Sequence, residues 1–207
     1  MRILFQGDSI TDCSRGGDKL GMGYALMVTA ALTKDGTAHE CINRGVSGHR
    51  VVDLLARWKR ECINLKPDYM SILIGVNDVW HELSDNPNGV SAELFEKVYD
   101  LMLEQTFAGC PGIKVVLMEP FVVHGPATDV NWDFLNGEVA LRREAVRRLA
   151  KKYNLSTIPL QDIFDDAIQN VAPASHWSGD GVHPSPAGHA LITEHWIAKF
   201  RELTEKD

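Results

Sequence analysis

Three short motifs in this chain hold residues that could perform chemistry together. The first has the sequence GDSIT and holds the hydroxyl of Ser9. The second, GVND, holds the amide of Asn77, and the third, DGVHP, holds Asp180 and His183. A serine hydroxyl becomes a nucleophile when a base takes its proton, and an acid can orient that base. These residue types therefore predict acyl transfer from a serine.

His183 is the best candidate for the base. Asp180 precedes it by three residues, Gly181 permits a tight turn between them, and Pro184 favours the start of a helix. Such a turn would place the carboxylate against Nδ1–H of the imidazole and leave Nε2 for Ser9. A helix-capping aspartate beside a surface histidine is the structural alternative. The histidines that compete for this role are His81, His124, His176, His189 and His195.

An oxyanion that forms during acyl transfer needs hydrogen-bond donors. The side-chain amide of Asn77 could supply one, and the backbone N–H groups of Ser9 and Gly45 could supply two more. Each such donor can lower the barrier by roughly 3 kcal/mol. The structural alternatives are an N-cap or turn serine, a turn asparagine and a turn glycine.

Four aromatic side chains near these motifs are candidates for substrate binding. They are Trp80, Trp177, Tyr24 and Phe121. Such rings could line a small acyl pocket or provide a surface on which a sugar stacks. The structural alternative for the tryptophans is packing in the core.

The elements that must position these residues alternate along the chain. Strands are predicted at 2–6, 39–43, 68–74, 113–118 and 157–160, and helices at 24–34, 51–65, 92–107, 132–153, 161–171 and 184–203. This alternation is typical of an α/β fold, a three-layer α/β/α sandwich of flavodoxin-like type around a mainly parallel five-stranded sheet. Residues 1–207 are expected to form a single domain. Ligands of such sheets bind at the carboxyl ends of the strands, where Ser9 and Asn77 are predicted to lie.

Composition excludes several classes of function. The net charge is −7 and no basic stripe is present, so nucleic-acid binding is not expected. Arg142 and Arg143, like Arg147 and Arg148, are predicted to lie on a solvated helix face. No run approaches the ~18 apolar residues of a membrane span, and no signal peptide is recognisable, so a cytoplasmic protein is predicted.

Four blocks in order resemble those of the SGNH hydrolases, also called the GDSL esterase/lipase family. They are GDSIT at 7–11, NRGVSG at 43–48, GVND at 75–78 and DGVHP at 180–184. The resemblance implies that Ser9 is the nucleophile, His183 the base and Asp180 its orienting acid. It implies an oxyanion hole of Ser9, Gly45 and Asn77, and no metal or other cofactor.

Within that family, three shorter matches are similar to bacterial acetylxylan esterases, which remove acetyl groups from xylo-oligosaccharides. The matches are Asp12-Cys13, Ala56-Arg57-Trp58 and Val79-Trp80. This similarity implies a small ester or acetylated oligosaccharide as the substrate. Those relatives are cytoplasmic oligomers, and a homo-oligomer is left open for this chain.

Three alternatives remain at this stage. One is an esterase or lysophospholipase that acts on longer acyl chains or on esters without a sugar. Another is a module that holds an acylated sugar without turning it over. The third is a metal-dependent hydrolase, whose ligands would come from Asp8, Asp12, Asn77, Asp78, His183 and His189.

Overall fold

The computed structural model describes residues 1–205, so the last two residues of the predicted domain lie outside the described part. Its strands are β1 (Arg2–Gly7), β2 (Glu40–Asn43), β3 (Tyr69–Leu73), β4 (Lys114–Met118) and β5 (Ser156–Ile158). They form one sheet in the order β2-β1-β3-β4-β5, and every neighbouring pair is parallel. The predicted parallel five-stranded sheet is therefore confirmed.

Helices connect these strands. They are α1 (Ser9–Asp12), α2 (Tyr24–Thr33), α3 (Val51–Glu61), α4 (Val76–Trp80), α5 (Ala92–Gly109), α6 (Trp132–Tyr153), α7 (Leu160–Asn170), α8 (Ala174–Trp177) and α9 (Pro186–Thr204). The sequence did not predict α1, α4 and α8, which have four or five residues each and are too short to show a helical period. The helix predicted over 51–65 ends at Glu61, and a 3₁₀ turn, Ile63–Leu65, follows it.

Side chains alternate across the sheet and divide the core in two. Leu4, Met70 and Ile72 point to a cluster shared with α3, α5 and α6. Ile3 and Phe5 point to a second cluster shared with α2, α7 and α9. Because successive residues of a strand face opposite sides, both faces of the sheet are covered. This arrangement is the predicted three-layer α/β/α sandwich.

One arginine of α6 lies in the core, which corrects the prediction of a solvated face. Arg142 is only 3% exposed, and its guanidinium donates to the backbone carbonyl of Val90 and pairs with Glu138. It follows Leu135 and Val139 at helical spacing, so it lies on the buried face of the helix. The hydrogen bonds compensate part of the cost of burying its charge.

The carboxyl edge of the sheet carries the predicted motifs. Helix α1 starts two residues after the end of β1, and α4 starts three residues after the end of β3. The segment after β2 is tied to the same edge, because the Val46 N–H donates to the carbonyl of Gly7 at 3.1 Å. Within residues 1–205, no helix combines the length and the apolar character needed to cross a bilayer.

Candidate active site

Ser9 lies at the first position of α1, directly after a turn that requires glycine. A Cβ on Gly7 would lie 2.3 Å from Thr11 Oγ1 and 2.4 Å from the carbonyl oxygen of Leu73, so no larger residue fits. Asp8 caps the helix by accepting a hydrogen bond from the Ile10 N–H at 3.1 Å. The first N–H groups of a helix have no acceptor within the helix, so the Ser9 N–H can point to a ligand.

Ser9, His183 and Asp180 form one hydrogen-bonded array. Ser9 Oγ lies 2.9 Å from His183 Nε2, and His183 Nδ1 lies 2.6 Å from Asp180 Oδ2. A carboxylate that accepts from Nδ1–H leaves Nε2 unprotonated, and Nε2 can then accept the proton of the serine. The structure thus brings together the three residues that the sequence predicted for the nucleophile, the base and the acid.

The turn between Asp180 and His183 holds the carboxylate in place. Asp180 Oδ1 accepts from the backbone N–H groups of Val182 and His183, each at 2.8 Å. Gly181 adopts a φ of +100°, which favours glycine. Burial of Asp180 raises the pKa of its carboxyl, but hydrogen bonds from His183 and Val182 outweigh this effect and lower the pKa below its usual value. The carboxyl therefore stays ionised beside the imidazole at neutral pH.

The loop after β4 supports this turn from behind. The Val123 N–H donates to the carbonyl of Gly181 at 2.9 Å, and the Ala127 N–H donates to the carbonyl of Asp180 at 3.0 Å. A Cβ on Gly125 would lie 2.5 Å from the Asp180 carbonyl carbon. Such close backbone contact restricts the position of Asp180, and through it the orientation of His183.

Asn77 reaches the same edge of the sheet on α4. Its side-chain amide donates to the backbone carbonyl of His49 at 3.2 Å, and the side chain is 8% exposed. The second amide hydrogen has no acceptor in the part of the chain that the structure describes. The predicted position of Asn77 just beyond a buried strand is thus observed, and its amide can still donate to a ligand.

Gly45 does not offer the free N–H that the sequence prediction assigned to it. Its N–H donates to Asn43 Oδ1 at 2.8 Å. The Asn43 amide in turn donates to the carbonyls of Thr11 and Leu20, at 2.6 and 2.8 Å. This side chain fills the turn after β2 and uses the Gly45 N–H to do so. Gly45 therefore serves the packing of the turn against α1, and the prediction that it donates to an oxyanion is corrected.

Gly48, in the same block, has a backbone N–H for which the described residues show no hydrogen bond, and the sequence did not single it out. It has a φ of +79° and open space where a Cβ would stand. Its neighbour Ser47 donates twice to Asp12 of α1, and its neighbour His49 accepts from Asn77. Among residues 1–205, the Gly48 N–H makes no hydrogen bond. Both glycines belong to the block NRGVSG, so the sequence alone did not distinguish them.

Three of the four aromatic candidates lie in the core. Tyr24 is 0% exposed, and its hydroxyl contacts Thr11 Oγ1 at 2.9 Å. Phe121 is 1% exposed and stacks on Phe164 with ring centroids 4.3 Å apart. Trp177 is 8% exposed, and its indole N–H donates to the carbonyl of Ala172. These rings pack into the cluster under α2, α7 and α9, so the structure does not place them at the exposed surface where the prediction expected them.

Trp80 is the aromatic candidate that the structure places beside the array. It is partly exposed at the end of α4, and its ring centroid lies 6.3 Å from that of His183. It packs on a small apolar cluster that includes Val76 and Val182. Trp80 is therefore positioned to form a wall next to the imidazole.

Two buried carboxyls lie close to this site. Burial raises the pKa of Asp8 and of Asp78 to about 7 each, although each accepts a backbone hydrogen bond that lowers it. Both oxygens of Asp78 accept from the Val51 N–H, at 3.0 and 3.2 Å. Asp78 thus caps α3 across the sheet edge, although it belongs to α4.

His189 connects three helices. Its Nδ1 accepts from the N–H of Tyr24, the first residue of α2, at 3.1 Å. Its Nε2 lies 3.4 Å from Cys13 Sγ, at the end of α1. Burial, with a smaller effect from His183, lowers the pKa of His189 to about 4, so the ring is neutral at pH 7. In the described residues, no three His, Cys, Asp or Glu side chains are arranged to hold a metal ion.

A model of the GDSL-like lipase/acylhydrolase family matches residues 5–191. The chain belongs to this family. The match includes the serine, the block with both glycines, Asn77, Asp180 and His183, so it covers the whole site described above.

Individual relatives of this GDSL-like protein cover nearly its full length. An acetylxylan esterase from Geobacillus stearothermophilus is 31% identical over 96% of this chain and 93% of the relative. The crystal structure of that organism's acetylxylan esterase Axe2 superposes with a TM-score of 0.83 at 31% identity, covering 95% of this chain and 92% of that one. A protein described as a GDSL-like lipase from Parabacteroides merdae has a TM-score of 0.87 at 36% identity, covering 95% and 94%. The protein is a carboxylic ester hydrolase of the GDSL type.

Proposed function

We propose that this hydrolase removes acetyl groups from carbohydrates such as xylo-oligosaccharides, with Ser9 as the nucleophile. The observation that carries the proposal is the continuous hydrogen-bonded array from Ser9 Oγ through His183 to Asp180, at 2.9 and 2.6 Å. The choice of an acetylated sugar is supported by the relative named as an acetylxylan esterase and by the polar side chains of Ser84, Asn86 and Asn88, which line a cavity together with Trp80.

In the first half of the reaction, His183 Nε2 takes the proton of Ser9 Oγ while the oxygen attacks the ester carbonyl carbon. The carbonyl π electrons move to the oxygen and form a tetrahedral oxyanion. The donors available for this charge are the N–H groups of Ser9 and Gly48 and the amide of Asn77. Asp180 stabilises the imidazolium and keeps its proton on Nδ1.

The tetrahedral intermediate then breaks the bond to the alcohol. His183 gives its Nε2 proton to the leaving oxygen, so the sugar leaves with a free hydroxyl and Ser9 carries the acetyl group. Water next donates a proton to His183 and attacks the acetyl carbonyl. Breakdown of the second intermediate releases acetic acid, which ionises to acetate, and returns the proton to Ser9. No other reactant is needed to balance these steps.

The replacement Ser9→Ala tests this mechanism. We expect kcat for p-nitrophenyl acetate and for acetylated xylo-oligosaccharides to fall by at least about 10⁴-fold, because the nucleophile and its proton are lost together. Ser175→Ala, which changes an exposed serine of α8, is the matched control and should retain activity. Near-normal turnover by the Ser9 variant would remove Ser9 from the mechanism. A panel of esters from acetate to octanoate, measured with the unmodified protein, tests the acyl length.

A further inference from the structure

A surface cavity of about 410 Å³ opens at the C-terminal end of α4. It is lined by Trp80, His81, Leu83, Ser84, Asn86 and Asn88. This volume falls within the range of roughly 300–1,000 Å³ that is usual for small-molecule sites. None of the three residues of the hydrogen-bonded array lines it, so the cavity is a neighbour of the reaction centre and not the reaction centre itself.

Trp80 is the side chain that joins the cavity to the reaction centre. Its ring lines the cavity and also lies 6.3 Å, between centroids, from the ring of His183. Trp80 is the last residue of α4, and the same helix carries Asn77. A ligand whose ester group reaches Ser9 would therefore pass over Trp80 before it enters the cavity.

The loop that forms the cavity wall is held by its own hydrogen bonds. Ser84 Oγ lies within hydrogen-bond distance of the carbonyls of His81 and Asn86, at 2.9 and 2.8 Å. The Asn88 N–H donates to the carbonyl of His81 at 3.1 Å, and Arg50 donates to the carbonyl of Asn88. These bonds use backbone groups of the two asparagines, so the loop is fixed without their side chains.

The amides of Asn86 and Asn88 are accordingly free to meet a ligand. Both side chains are exposed, and within residues 1–205 neither has a hydrogen-bond partner. A primary amide offers two N–H donors and a carbonyl acceptor, which match the hydroxyl groups of a sugar. The indole of Trp80 offers an apolar face for the C–H side of a pyranose ring. An alkyl chain would satisfy none of these polar groups.

We propose that this cavity binds the sugar part of the substrate, next to the acetylated unit, and that Asn86 and Asn88 hydrogen-bond its hydroxyl groups. The inference rests on the proposed function, because it assigns the leaving-group side of the same site. It adds a determinant of specificity that takes no part in the chemistry. Loss of the two amides should weaken the binding of an oligosaccharide and leave the hydrolysis of a simple ester unchanged.

The experiment compares the unmodified enzyme with the double variant Asn86→Ala/Asn88→Ala. We expect kcat/KM for acetylated xylo-oligosaccharides to fall at least about tenfold, mainly through KM, because two hydrogen bonds to the sugar are lost. For p-nitrophenyl acetate the same ratio should change less than about twofold. The matched control is Asn64→Ala, an exposed asparagine in the 3₁₀ turn before β3 at the opposite edge of the sheet.

Binding is measured separately by titrating acetylated xylotriose into Ser9→Ala protein with and without the two asparagine changes. Weaker binding only in the protein that lacks the amides would support the subsite. If the enzyme hydrolyses the sugar ester and the double variant does so equally well, the subsite is refuted and the proposed function stands. If the unmodified protein cleaves p-nitrophenyl acetate but neither binds nor cleaves the acetylated sugar, the carbohydrate function fails and the subsite fails with it.

Discussion

Replacing Asp8 with asparagine removes a buried carboxyl from the residue that precedes the candidate nucleophile. Burial raises the pKa of this carboxyl from 3.8 to about 7. Because the folded state binds the proton more tightly than the unfolded state, the protonated carboxyl favours folding. That contribution is complete below about pH 4 and is lost as the pH rises to about 7. The loss amounts to about 4 kcal/mol, at 1.36 kcal/mol for each pKa unit.

Asparagine is a close replacement, because its side-chain oxygen can still accept from the Ile10 N–H and cap α1. The difference in the free energy of unfolding between Asp8→Asn and the unmodified protein should therefore shift by about 4 kcal/mol in favour of the variant between pH 4 and pH 8. Denaturation in guanidinium chloride across this range measures it, with the exposed Asp85→Asn as the matched control. A difference that stays constant with pH would refute the buried, proton-binding state of Asp8.

Two further replacements test other contacts of the site. Asp180→Asn should lower kcat for p-nitrophenyl acetate by roughly 10⁴-fold with little change in KM, because an amide that donates to Nδ1 moves the imidazole proton to Nε2; a loss below tenfold would contradict this. His189→Gln removes an imidazole ring, and burial lowers the pKa of this ring from 6.5 to about 4. The stability that the neutral ring contributes above pH 6.5 is therefore lost as the pH falls to 4. Between pH 6.5 and pH 4, the free energy of unfolding of the unmodified protein, measured in urea, should thus fall by about 3 kcal/mol relative to that of the variant. If the free energies of both proteins change with pH in parallel, the ring is not neutral and buried.

The positions of Ser9, Asp180 and His183 were predictable because local rules determine them. Ser9 follows a buried strand, and the carboxyl ends of parallel strands meet at one edge. Asp180 and His183 lie three residues apart around a glycine, which is enough to bring a carboxylate to an imidazole. The distance of 2.9 Å between Ser9 Oγ and His183 Nε2 depends, however, on α9 and the loop after β4.

The sequence alone does not show that the N–H of Gly45, predicted to donate to an oxyanion, is already used within the turn. Gly45 and Gly48 lie in the same block, and either could present a free N–H beside α1. The side chain of Asn43 decides between them, because it turns inward to bind two carbonyls and takes the Gly45 N–H as well. Competition of this kind between side-chain and backbone acceptors becomes visible only in three dimensions.

The burial of three of the four aromatic candidates was also beyond sequence reasoning. Tyr24 and Trp177 are close in sequence to loops of the site, but their rings point to the core side of α2 and α8. Helix α8 has four residues, so its buried side could not be inferred from periodicity. Trp80 lies at the end of the equally short α4, and only packing against Val76 and Val182 shows that it borders the imidazole.

Helix α4 links the hydrogen-bonded array to the proposed sugar subsite. It starts after Gly75, whose φ of +138° and close approach to Pro120 require glycine. Within the next turn, Asn77 donates to the carbonyl of His49, and Asp78 caps α3. Trp80, at the end of the helix, lies beside the His183 imidazole and also lines the cavity. Because one turn of helix sets all three directions, a shift that widened the cavity would also move the Asn77 amide, which we propose as an oxyanion donor. Variation in substrate choice is therefore expected in the loop at 81–91, where Asn86 and Asn88 can change while α4 stays in place.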